Sequence, residues 1–300
     1  MDLTSPQNFV PQPANLAPKI NKWKASRMVV KESWVLLKKD KEILWFPVLS
    51  AITLLVAYVV IGIIYFLFVL GGSLTGLETT DYQTNYVSYV FLFMSYIISF
   101  LTVNFFQAGI MIIAHGRFSG QDLELGDGIR GASAKFGRIF VWSLISATVG
   151  IVLNQISQRS NTLGKIVAAF FGAAWAILTF FSLPALVIGN ATIKGSFLES
   201  ASVIRKTWGE TIIVKVGVGL FFAILIFAGF AFALGAALIL GNPFIAVILG
   251  ALLIFYIIAL GVISSALNSI FKLALYEYAK TGNVPQGFSQ DLIQNAIAKK

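Results

Sequence analysis

The sequence predicts an all-α, polytopic membrane protein, with six transmembrane helices arranged as three hairpins and an amphipathic interfacial helix on the cytoplasmic face before each. Three observations carry this. Only 12% of the 300 residues are charged and 57% are hydrophobic, whereas an ordinary globular chain carries about a quarter charged residues. Six apolar runs, near 43–71, 87–114, 139–156, 166–189, 212–240 and 244–271, are long enough to cross a bilayer. Hydrocarbon accepts such runs as helices, whose backbone groups bond one another. The basic residues, finally, fall almost entirely on one side of these runs. Strands of an outer-membrane barrel would alternate apolar and polar residues; AILIFAGFAFALGAALIL at 223–240 does not.

The first 18 residues, MDLTSPQNFVPQPANLAP, have neither a basic n-region nor an apolar h-region. They read as a disordered tail and not as a secretory signal peptide. Residues 19–300 form the six-helix transmembrane domain. In NKWKASRMVVKESWVLLKKDKE (21–42), Trp23, Val30, Trp34 and Leu37 lie on one helical stripe among lysines that include Lys38 and Lys39. The segment before the third span, DLELGDGIRGASAKFGRI (122–139), repeats the stripe with Ile129, Ala132, Phe136 and Ile139, leaving Arg130 off it. SFLESASVIRKTWGE (196–210), before the fifth span, does so with Phe197, Ala201, Ile204 and Trp208, leaving Glu199, Arg205 and Lys206 off it.

A segment of this kind is too polar to span a bilayer and too apolar to leave it. It is expected in the interface, with indoles at headgroup depth. Trp23, Trp34, Lys38, Lys39, Arg130, Arg205, Lys206 and Trp208 are therefore the candidate lipid contacts. A shift of 75 positions lays Gly120 on Gly195 and Ile129-Arg130 on Ile204-Arg205, which suggests three repeated units.

Charge sets the orientation. Eight Lys or Arg precede the first span, Arg117, Arg130, Lys135 and Arg138 lie between the second and third, and Lys194, Arg205, Lys206 and Lys215 precede or open the fifth. Lys272, Lys280, Lys299 and Lys300 close the chain, so one side holds 20 cations and the other only Arg159 and Lys165. The positive-inside rule then places both termini in the cytoplasm. Cations at membrane entry points suit anionic headgroups; without an accompanying recognition motif they imply no nucleic-acid partner.

Within the spans, Asn104, Gln107, Asn154, Gln155 and Asn268 are the polar side chains, and Pro184 is expected to kink the fourth span or free a carbonyl there. The amides could line a path or bond helix to helix. Small residues recur four apart (Ala168, Gly172, Ala176; Gly229, Ala233, Ala237; Gly261, Ser265, Ser269), a pattern for close packing within the chain or between copies. No Asp, Glu, Lys or Arg occupies the middle third of a span, where a proton-coupled transporter usually has one. Cysteine is absent and His115 is the sole histidine, so thiolate sites, two-histidine zinc sites and a Ser–His–Asp triad with a spare histidine are excluded. Neither an enzyme nor a cofactor or metal is expected.

At ESWVLLKKDKEILWFPVLS (32–50), LPALVIGN (183–190), KTWGE (206–210) and LYEYAKTGNVPQGF (275–288) the chain resembles a prokaryotic family of six-helix integral membrane proteins defined as a domain of unknown function. More loosely, it is similar to the membrane-anchor region of some glycerophosphodiester phosphodiesterases. The resemblance implies a six-span bundle in a prokaryotic plasma membrane with cytoplasmic termini, and it carries no catalytic or ligand residues. A soluble phosphodiesterase domain is absent, so that activity is not implied. Two functional readings follow: a non-enzymatic membrane scaffold or lipid-interacting protein, or else a small-molecule or lipid transporter or channel. Homo-oligomerisation and the identity of any protein partner stay open.

Overall fold

The computed structural model describes residues 31–35, 37–38, 40–74, 81–159, 162–206 and 210–289. Among them every regular element is helical. Residues 31–35 are helical, and a 3₁₀ turn, Lys41–Leu44, leads into α1 (Trp45–Leu74). Then follow α2 (Asp81–Phe118), α3 (Leu125–Ala134), α4 (Phe136–Arg159), α5 (Thr162–Leu178), α6 (Ser182–Val187), α7 (Ile193–Lys206), α8 (Glu210–Leu240) and α9 (Pro243–Thr281). Six helices are long and apolar enough to cross a membrane: Lys41–Gly72, Tyr86–Phe118, Phe136–Gln158, Thr162–Val187, Phe221–Leu240 and Pro243–Thr281. The tail, Trp23, Lys39 and Trp208 lie outside the described residues.

Most of the helices extend past the apolar runs that announce them, the fourth, which ends at Val187, being the exception. The last runs on to Thr281, where Gly282 adopts φ 75° and its N–H closes on the Tyr278 carbonyl at 2.8 Å. Backbone hydrogen bonding, once begun, continues until a residue that favours the left-handed region ends it. Apolar side chains of α1 such as Leu55, Val59, Ile63 and Phe66 stay exposed, as do Phe244, Val247 and Phe255 at the start of α9. Exposed leucine and phenylalanine along a membrane-length helix is the pattern lipid contact requires.

The chain divides into two compact units, residues 41–115 with 122–200, and the remainder. In the first, Phe46 is fully buried. A Cβ on Gly128 would stand 2.6 Å from its ring and 3.0 Å from the Gly109 carbonyl, and one on Gly109 would meet the same ring closer still. Two glycines thus let α2, α3 and the start of α1 close around one aromatic wedge. Glu42 accepts the Leu125 N–H at 3.0 Å, serving one of the free donors at the start of α3. Tyr58 and Ser99 join α1 to α2 through their hydroxyls at 2.6 Å, while Asn154 donates to Tyr96 at 2.9 Å and so joins α4 to α2. Trp142 of α4 stacks on Trp175 of α5 at 6.2 Å and 10°.

In the second unit, α8 and α9 run along each other. A Cβ on Gly229 would lie 2.5 Å from the Tyr256 ring, whose hydroxyl donates to the Leu225 carbonyl at 3.0 Å. The first glycine of that small-residue trio is therefore filled by a tyrosine from the neighbouring helix; beside Gly261 there is open space. The turn between the helices is set by Asn242, which accepts from Phe244 and Ile245, with Pro243 opening α9 where no N–H is needed. Elsewhere in this unit Asp40 pairs with Arg117. Glu32 accepts both the N–H (3.0 Å) and the hydroxyl (2.6 Å) of Ser289.

Candidate functional site

The fourth span is broken, and the break organises its surroundings. α5 stops at Leu178 and α6 starts at Ser182. Pro184 lies in the first turn of α6, where a missing N–H costs nothing, and its carbonyl accepts from Ile188 and Gly189. The interruption lies three to five residues before the proline, around Phe180, to whose carbonyl a proline at 184 has no N–H to donate. At the break the Phe181 N–H turns away from its own helix and donates to Ser200 Oγ at 3.0 Å. Phe181, Ser182, Ser196 and Ser200 are all fully buried.

The buried face of α7 is therefore Ser196, Ser200 and Val203, turned one residue from the apolar stripe Phe197, Ala201, Ile204, whose members are half-buried. Phe197 packs against Trp142 and Trp175 with ring centroids 5.0 and 5.6 Å away. Thr192 starts this helix, its hydroxyl accepting the Gly195 N–H at 3.0 Å. Lys194 and Arg205 stay exposed, and Lys206 is the last residue of α7. On α3 the buried residues are Gly128 and Ala132, while Arg130 leaves 85% of its side chain in the open and pairs with Asp127 only at 3.8 Å.

Of the remaining predicted residues, Trp34 is half-buried with exposed Lys38 over its ring at 5.9 Å. Asn104 donates to Ser143 Oγ at 3.0 Å. Asn268 bonds within its own helix, to the Ser264 carbonyl at 2.8 Å and hydroxyl at 3.2 Å. Gln107 is half-buried within α2.

One cluster is not apparent in the stripes. Lys135 lies between α3 and α4, and its carbonyl accepts the N–H groups of Arg138 (3.0 Å) and Ile139 (3.1 Å) to begin α4. Its ammonium and the Arg138 guanidinium (3.3 Å) both donate to Asn190 Oδ1. Asn190 follows α6 with φ 53°, the one non-glycine positive φ among the described residues. Asparagine tolerates that conformation better than most residues, and there the Ala191 N–H reaches back to the Ala185 carbonyl at 3.0 Å. Two cations three residues apart at a span entry were visible in the sequence; their convergence on a residue 52 positions or more away was not.

These helices define a multi-pass α-helical membrane protein. The chain belongs to a family of unknown function (DUF6159), matched over residues 86–287, from the second span to just beyond α9. No curated protein matches it, and the looser likeness to the anchor region of glycerophosphodiester phosphodiesterases has no counterpart in the family match.

Proposed function

We propose that the protein is a non-enzymatic membrane scaffold that gathers anionic lipid along its cytoplasmic face, in a prokaryotic plasma membrane with both termini cytoplasmic. The observation that carries the reading is the sidedness of α3 and α7. Gly128, Ala132, Ser196 and Ser200 are buried, while Arg130, Lys194 and Arg205 stand exposed. Each cation near an anionic leaflet contributes roughly 1 kcal/mol of attraction at physiological ionic strength, and the 20-to-2 split of basic residues supports a one-sided attraction. No cofactor and no nucleic acid enters the reading.

The test is lipid mass spectrometry of protein purified in mild detergent. Anionic lipid should be enriched over the source membrane, and the enrichment should fall when Arg130, Lys194 and Arg205 are changed together to Gln. A retained-lipid profile identical to the source membrane would count against it.

Transport is a second reading, favoured by the polar groups that join α1, α2 and α4: Tyr58 with Ser99, Tyr96 with Asn154, Asn104 with Ser143. Each amide bonds a neighbouring helix, so a solute path here would require these pairs to open. Asn104→Leu should then abolish solute flux in proteoliposomes while leaving lipid retention unchanged.

A further inference from the structure

We propose that Lys135, Arg138 and Asn190 form a discrete site for the phosphate of an anionic glycerophospholipid, a deepening that rests on the lipid-gathering reading above. Two cations donate to one neutral oxygen, and neither has a carboxylate partner among the described residues. Like charges held this close repel one another. A carboxamide oxygen relieves this only slightly, and it engages few of the donors that an ammonium and a guanidinium carry. An anion with several acceptor oxygens answers both needs, and phosphate matches the guanidinium fork. Asn190 holds its place in the turn that ends α6, with φ 53° and the Ala191 N–H bonded back to the Ala185 carbonyl.

Depth and surroundings select a lipid. The third candidate span begins at Phe136 and the fourth ends at Val187, so Lys135, Arg138 and Asn190 flank the ends of the apolar segments, where a headgroup phosphate lies. Phe136 and Phe140 are exposed on α4, stacked at 6.2 Å and 23°. Gly137, between the two cations in sequence, is exposed with open space beside it. A soluble phosphate would use the cations and ignore the rings. A phospholipid uses both, phosphate on the cations and acyl chain along the phenylalanines.

Native mass spectrometry of the full chain in neutral detergent tests this, with titrations of phosphatidylglycerol, phosphatidylcholine and inorganic phosphate. Wild type should retain phosphatidylglycerol over phosphatidylcholine, and the Lys135→Gln/Arg138→Gln variant should bind it at least about tenfold more weakly. Asn190→Asp, which supplies the missing carboxylate, should weaken it comparably. All should elute as folded protein, and Asn190→Asp keeps the proposal testable if the double variant does not. Undiminished phosphatidylglycerol binding in folded Asn190→Asp or in the double variant overturns the site while leaving the wider lipid reading intact. Equal wild-type binding of both lipids overturns the two together. Full displacement by millimolar inorganic phosphate overturns the lipid as the source of the phosphate.

Discussion

Ser200 Oγ accepts the buried N–H of Phe181 at 3.0 Å, so a side chain of α7 supplies the hydrogen bond that the broken fourth span cannot make for itself. A free N–H at this depth would be costly, and bilayer hydrocarbon offers it no partner. Within ESASVIRK (199–206) the interior receives Ser200 as well as Val203, because the element it meets presents backbone there. Ser196 supports the same junction, its carbonyl facing Ser182 Oγ at 3.5 Å.

Ser200→Ala should accordingly destabilise the protein by about 1–3 kcal/mol, since it removes an acceptor from a buried donor. Ser202→Ala, on the exposed side of the same helix, should have little effect. Thermal unfolding in detergent, followed by size-exclusion recovery, compares them. Equal melting of the two variants would mean that Ser200 does not close the break.

Phe46 offers a test in which the sign matters. Inside a helix, Gly→Ala is ordinarily favourable by up to about 1 kcal/mol. On α3, Gly126 has open space where a Cβ would sit, so Gly126→Ala should be neutral or stabilising. Gly128→Ala drives a methyl into the Phe46 ring and the Gly109 carbonyl and should cost roughly 1–3 kcal/mol. Gly109→Ala should do likewise, and Phe46→Leu should recover part of the loss. A Gly128→Ala variant that melts above wild type would remove the wedge from the account.

Membrane-length helices were legible because bilayer hydrocarbon admits so few structures; five of the six runs sit inside observed helices, and the fourth, 166–189, spans the break and passes Val187 by two residues. What the runs could not show is where a helix is interrupted. Pro184 drew attention to the fourth span, and the break lies just upstream of it at 179–181, where a serine on another element meets the Phe181 N–H. Hydrophobic periodicity located α3 and α7 and included the buried Ala132, but it missed Gly128, Ser196 and Ser200, which serve closeness and hydrogen bonding rather than apolar area. Likewise, Lys135 and Arg138 read as two more orientation charges until a turn residue from the far end of the next span comes to lie beside them.

Orientation follows from charge alone and can be checked without purified protein. Reporter fusions at Gly126 and Lys300 should read as cytoplasmic, and one at Thr79, in the connection that carries no Lys or Arg, as external. An external signal at Gly126 would invert the assignment and put Arg130, Lys135 and Arg138 on the wrong leaflet for the proposed lipid contact.

Asp40 and Arg117 give the sharpest electrostatic prediction. The Asp40 side chain is 8% exposed and that of Arg117 27%, so the carboxylate has less access to water than its partner. Asp40 Oδ2 makes no hydrogen bond among the described residues, which leaves the Arg117 contact on Oδ1 as the main compensation for a buried charge. Removing one member of such a pair costs about 3–5 kcal/mol when the survivor cannot reach solvent, and less when it can. Arg117→Gln, which strands the carboxylate, should therefore be worse than Asp40→Asn, which leaves a guanidinium able to turn outward. The double variant Asp40→Asn/Arg117→Gln should melt above Arg117→Gln, because it no longer buries an unpaired charge. A coupling of about 0.5–3 kcal/mol in the double-mutant cycle is the expected result for groups in contact. Additive single effects, or an Arg117→Gln protein as stable as wild type, would show that the segment before the first span and the end of α2 are not held together by this pair.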